Sequence, residues 1–151
     1  MIPRWHILLG LIFTILFWLV FPNTNLTFLS LIFLSSFSID IDHYLNAVQK
    51  TKKISLQNAL TYYKKLTKKQ EQEKRKGIKN KEDFNLFHTL EFHILVGLLG
   101  FLWSGFYFVL IGMVFHSLSD LVWQIKNDYL YTREYFFVCW INTLNTFVVT
   151  V

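Results

Sequence analysis

Cysteine is almost absent: Cys139 is the single one in 151 residues. That count excludes an internal disulfide and any zinc site built on thiolates, so a metal in this chain has to be held by His, Asp and Glu. Acidic residues are scarce where cations crowd. Twelve of the fifteen Lys and Arg lie at residues 50–81, offset there only by Glu71 and Glu73, which leaves that stretch at +10 in a chain of net charge +5. Internal repeats are missing, as is low complexity outside this lysine-rich stretch. No small-residue cleavage site follows the apolar run at residues 7–21, which argues for a retained span over a secretory signal. What abounds is apolar surface: 53% of residues are hydrophobic and 19% aromatic, too much for an ordinary soluble domain of this length. The expectation is one all-α integral membrane domain over residues 1–151.

Four to five short spans are predicted. The first runs over residues 7–21 with Trp5 as an interfacial anchor, and a turn at residues 22–25 leads to the second, residues 26–45. From Ser55 the spacing of Leu56, Ala59, Leu60, Tyr63 and Leu66 is helical, with lysines on the other face and Gly77 as a stop. This basic amphipathic helix lies within a connector at residues 46–87, which the positive-inside bias assigns to the cytoplasm. There it attracts anionic lipid headgroups, at about 1 kcal/mol per basic residue near the surface. Nucleic acid is not expected as a partner, because the block flanks apolar spans and no nucleic-acid module is present. The apolar run at residues 94–115 is interrupted by Ser104 and Gly105. A turn there sends a short helix of about 16 Å outward and a second one back, whereas one unbroken helix would hold His93 and His116 roughly 35 Å apart. Residues 135–151 form a fifth span or a membrane-surface segment.

In that topology all five histidines, His6, His43, His88, His93 and His116, fall at the cytoplasmic ends of spans. Asp40, Asp42 and Asp120 accompany them, and Glu91 lies between His88 and His93. An unpaired charge at the centre of a membrane helix costs roughly 2.5–3.5 kcal/mol on insertion scales, so the Asp40-Ile41-Asp42-His43 motif calls for a compensating partner. Asp40 and His43 share a helix face while Asp42 points elsewhere, and His116 and Asp120, four apart, present two ligands from one face. His88 and His93 are about 140° apart on a helix, so one of them precedes the helix and reaches in from the loop. Taken singly each histidine is more often an interfacial or hydrogen-bonded residue than a ligand; together they exceed the needs of one four-coordinate zinc and suit a two-metal site. His43, His93, His116 and Asp120 are the leading metal ligands, with Asp40, Asp42, His88 and His6 completing the set. Asp42 and Glu91 are the candidate catalytic carboxylates. Two divalent ions, zinc in preference to manganese or iron, would activate water as the nucleophile for phosphoester hydrolysis.

The order of these motifs across residues 6–120 resembles the membrane-bound metal-dependent hydrolases of the YdjM type, described as LexA-regulated in some bacteria. An early histidine, the Asp40–His43 motif, His88 with four residues before His93, and His116 with three before Asp120 follow that family's sequence. More remotely, the histidine and aspartate mixture is similar to the all-helical zinc-dependent phospholipases C and related nucleases. Two departures stand out. Where the family has His-Arg-Gly-x-Thr-His-Ser this chain has His88-Thr89-Leu90-Glu91-Phe92-His93-Ile94, and Ile39 replaces the proline before the acidic motif. The resemblance implies a multi-pass membrane hydrolase acting on a phosphoester, with a lipid headgroup among the candidates, at the cytoplasmic face. Two other classes stand beside it: a non-catalytic metal-binding scaffold or sensor, and a divalent-ion transporter. The transporter is disfavoured because the ionisable residues cluster at span ends on one side instead of the bilayer midplane.

Overall fold

The computed structural model describes residues 3–141, and every regular element among them is helical. Helix α1 spans Pro3–Val20, and the turn after it ends at Asn25, whose side chain accepts a 2.9 Å hydrogen bond from the Thr27 amide and starts α2, Leu26–Ser38. The chain then breaks at Ile39 and Asp40 and resumes as α3, Ile41–Thr51. Lys52, in the left-handed conformation at φ 57°, ends α3. Helix α4, Leu56–Arg75, stops two residues before Gly77, whose φ of +74° suits glycine. A 3-10 turn at Leu86–His88 precedes α5, Leu90–Leu99, which Thr89 caps by accepting from the Phe92 amide. The chain reverses through residues 100–104 into α6, Gly105–Lys126, so the Ser104-Gly105 interruption is a turn and α5 and α6 form an antiparallel hairpin.

The four apolar helices α1, α2, α5 and α6 carry large side chains outward: Leu19, Leu34, Leu98 and Leu118, one from each, are 50–64% exposed. Among the described residues, two helical stretches, Leu26–Thr51 and Gly105–Lys126, are long and apolar enough to cross a membrane, and Arg4–Val20 and Leu90–Leu99 are shorter apolar helices. Inside, Ile39, Val96 and Met113 form the buried apolar cluster, flanked by Phe87, Phe92 and Phe106. Small residues let three helices approach closely. A Cβ added to Gly112 of α6 would stand 2.3 Å from the Ile32 carbonyl oxygen of α2, and one added to Gly10 of α1 would stand 2.0 Å from Ser36 Oγ. His6 precedes Gly10 by one helical turn and His116 follows Gly112 by one turn, so the close contact levels these two histidines with Ser36 and the break after α2.

The basic connector is docked on the protein and not a detached surface helix. Ala59 of α4 is buried, the Tyr63 hydroxyl donates 2.9 Å to the His43 carbonyl, and the Tyr62 hydroxyl donates 3.2 Å to Asp83. At its far end Lys74 donates to the Asn127 carbonyl and lies 4.8 Å over the Tyr129 ring. Of the predicted segment at residues 135–151, residues 137–141 open a helical turn and the remainder lies outside the described residues.

Candidate metal centre

Four pieces of chain meet where α1 begins, α2 ends, the 3-10 turn leads into α5 and α6 nears its C-terminus. The break at Ile39-Asp40 decides how the acidic motif is used. One continuous helix would have spread Asp40 and Asp42 around its circumference; with Asp40 at the junction and Asp42 in the first turn of α3, both reach His88. Asp42 Oδ2 accepts from His88 Nδ1 at 3.0 Å and from the Phe87 amide at 3.1 Å, while Asp40 Oδ1 lies 3.7 Å from His88 Nε2. His116 Nδ1 donates 2.8 Å to the Ser36 carbonyl, and His6 stacks on His116 with ring centroids 4.1 Å apart. His6 Nε2 in turn lies 3.2 Å from Asp120 Oδ1.

The protons on these rings are determined by their partners. A carbonyl can only accept, so His116 carries its proton on Nδ1; Asp42, as a carboxylate already taking an amide N–H, requires the same of His88. Were both rings neutral, two bare Nε2 lone pairs would face each other at 3.3 Å. Lone pairs repel at that distance, and only a cation between them or an extra proton on one ring relieves it. The surrounding distances suit a metal. His88 Nε2, His116 Nε2 and Asp120 Oδ2 form a triangle with sides 3.3, 3.6 and 3.9 Å. The same two nitrogens and Asp40 Oδ1 form another, with sides 3.3, 3.4 and 3.7 Å. Ligands bound at about 2.0–2.1 Å to a tetrahedral ion stand about 3.4 Å from one another. The Nδ1 bonds to Asp42 and Ser36 are of the kind that would orient these imidazoles if they bound a metal.

Among the described residues, three overlapping ligand groups could hold a metal ion: His6, Asp40 and His116; Asp40, His43 and His88; and His88, His116 and Asp120. His43 lies on the open side, its Nε2 3.7 Å from Asp40 Oδ1, and both side chains keep about a fifth of their surface accessible. Tyr63 meets the His43 ring edge to face at 5.3 Å. Burial, reinforced by the Asp83 carboxylate, raises the Tyr63 phenol above its ordinary pKa, so this residue stays a neutral donor.

Two residues singled out in the sequence lie apart from these groups. His93 donates from Nδ1 to the Thr89 carbonyl at 2.8 Å, within α5 and its cap, and accepts at Nε2 from the Ser117 hydroxyl of α6 at 3.0 Å, so both nitrogens are engaged and the second joins α5 to α6. Glu91 Oε1 accepts from the Phe137 amide at 3.0 Å and secures the segment after α6. Sequence reasoning missed Arg133. Its Nη1 donates 2.7 Å to Asp120 Oδ2, and the side chain is 7% exposed. Burial alone would lower its pKa, but the Asp120 carboxylate outweighs that and raises it, so the guanidinium stays charged. The available signal was its isolation: with Arg4 and Lys126 it is one of three cations outside residues 50–81. The Ser36 carbonyl carries no signal in sequence, being a backbone group chosen by packing. Comparison with protein-family models, curated proteins and solved structures gave no match for this chain.

Proposed function

We propose that this chain is a membrane-embedded metal-dependent hydrolase of phosphoesters, with zinc the favoured metal, resembling the YdjM-type hydrolases. The observation that carries the metal reading is the pair of Nε2 atoms at 3.3 Å whose rings have committed their protons to Asp42 and Ser36. His88 and His116 with Asp120 or Asp40 supply three ligands and leave a fourth position, the pattern of catalytic zinc. A second ion would draw on His6 or His43, since Asp40, His88 and His116 each belong to two of the three groups. A bound divalent ion supplies Lewis-acid polarisation of a phosphoryl oxygen and a more acidic water. Asp42 fixes the His88 tautomer, and the partly exposed Asp40 and His43 mark the approach.

In this reading α1, the α2–α3 run, α5 and α6 occupy the bilayer as four spans, and the cluster and the basic connector share the cytoplasmic face. The outward apolar side chains support it, as does the alternation in which α1 and α5 start at the cluster while α2 and α6 end there. A non-catalytic metal-dependent scaffold is the second reading, favoured by the engagement of Glu91, the candidate base, with Phe137. Elemental analysis of detergent-purified protein, followed by turnover assays on lipid phosphates and nucleotides with and without chelator, tests both. Bound metal with chelator-sensitive turnover supports the hydrolase. Stoichiometric metal without turnover leaves the scaffold, and absence of metal in protein exposed to zinc refutes both.

A further inference from the structure

Arg133 does more than neutralise Asp120. Its position is built by the segment that follows α6, which is fastened along its length: the Glu82 amide donates to the Thr132 carbonyl at 2.7 Å, the Leu90 amide to the Tyr135 carbonyl at 2.9 Å, and the Phe137 amide to Glu91. Lys81 pairs with Glu134, and Tyr135 donates to Gln124. These bonds hold the backbone on both sides of Arg133, so its guanidinium enters the cluster from a rigid mount.

That guanidinium is only partly used. Nη1 is committed to Asp120 Oδ2, the oxygen 3.6 Å from His116 Nε2 and 3.9 Å from His88 Nε2. Nε, buried with the rest of the side chain, has no hydrogen-bond partner among the described residues. A buried donor left without an acceptor is destabilising, and a simple counter-ion for Asp120 would not need that second edge. Nε and Nη form a planar fork matched to two oxygens of a carboxylate or phosphate. Resting on the metal reading above, we infer that Arg133 is the anion-binding residue of this centre and that its occupant is a phosphoryl group, of a lipid headgroup or of a soluble phosphate. Nη1 bonds the same Asp120 oxygen that faces the His116 and His88 nitrogens, so the guanidinium stands one carboxylate away from the ligand atoms. Asp120 lies between the two, joining the arginine to the ligand set.

The test uses the full chain in detergent, loaded with Zn²⁺, its metal content measured first and inorganic phosphate then titrated by calorimetry. Wild type should bind phosphate, and Arg133→Gln should weaken binding at least tenfold at unchanged metal stoichiometry. Arg133→Lys, which keeps the charge and a bond to Asp120 but lacks the fork, should also weaken it at full metal content; this variant carries the test if the glutamine one fails to fold. Phosphatidate in mixed micelles that competes with phosphate identifies a lipid source, and phosphate binding without such competition identifies a soluble one. Equal phosphate affinity in wild type and Arg133→Lys overturns the inference, as does metal-loaded wild type that binds neither phosphate nor phosphatidate. Metal lost in parallel with phosphate in both variants also overturns it and makes Arg133 a positioning residue for Asp120. A wild-type protein that takes up no zinc removes the metal reading itself.

Discussion

Gly112→Ala probes the chain of causes from helix packing to ligand geometry. The new Cβ would stand 2.1 Å from Ser35 Oγ and 2.3 Å from the Ile32 carbonyl oxygen. The hydroxyl can rotate away, but the carbonyl belongs to the hydrogen-bond ladder of α2, so α2 and α6 must part by about 1 Å to reach ordinary contact. A movement of that size stretches the 2.8 Å bond from His116 Nδ1 to the Ser36 carbonyl past the ~3.5 Å at which a hydrogen bond is lost. Overpacking typically costs about 1–3 kcal/mol, while replacing a helical glycine with alanine returns about 1 kcal/mol. Because the obstructing atom is backbone, the cost falls at the upper end and the net effect is destabilising. Loss of the Ser36 bond adds a second consequence, a metal affinity about 10–100-fold weaker. Thermal melting with and without saturating Zn²⁺, and competition against a chelator, measure the two effects separately. Gly97→Ala is the control, since its Cβ would meet only the flexible end of Leu110 at 3.3 Å. A Gly112→Ala protein that melts and binds zinc like wild type would refute the account.

The two neighbouring histidines should behave differently: His88→Gln should lose zinc, whereas His93→Gln should keep its metal stoichiometry and show only reduced thermal stability. Equal metal loss in both would return His93 to the ligand set. Asp42→Asn should weaken zinc binding about 10–100-fold, because the amide releases the tautomer of His88 without removing a triangle vertex; chelator competition reads the change, and an unaltered affinity would show that the His88 proton is set elsewhere. For topology, in a Cys139→Ser background, a cysteine at Gly77 should resist impermeant thiol reagents in intact cells while one at Ser104 reacts. Labelling at Gly77 alone would invert the orientation.

Much of the candidate centre was legible because its residue types are costly in apolar surroundings. The Asp40–His43 motif at the end of an apolar run and the His116–Asp120 pair on one helix face needed a shared compensating partner, and the Ser104-Gly105 interruption supplied the reversal that brings α6 back. His93 illustrates the limit. Its distance from His88 showed that the two could not project together from one helix, but not which of them the loop would carry inwards. That depended on Thr89 capping α5, which leaves His88 in the 3-10 turn against Asp42 and His93 inside the helix against Ser117. The connector was similar: periodicity revealed an amphipathic helix, while the surface covered by its apolar face followed from the positions of His43 and Asp83.

By itself, then, the sequence pointed to the helical class, the turn at residues 22–25, a reversal at Ser104-Gly105, and the residue types able to hold a metal, because hydrophobic period, turn chemistry and ligand type are local properties. Tertiary structure alone decided the break that turns Asp40 and Asp42 to the same histidine, the protons placed on His88 and His116 by Asp42 and Ser36, and the entry of Arg133 from beyond α6. Each depends on distances between segments far apart in the chain. The close approach of Gly10 and Gly112 to α2 sets the distances at His6, Ser36 and His116, and no period in the sequence encodes them.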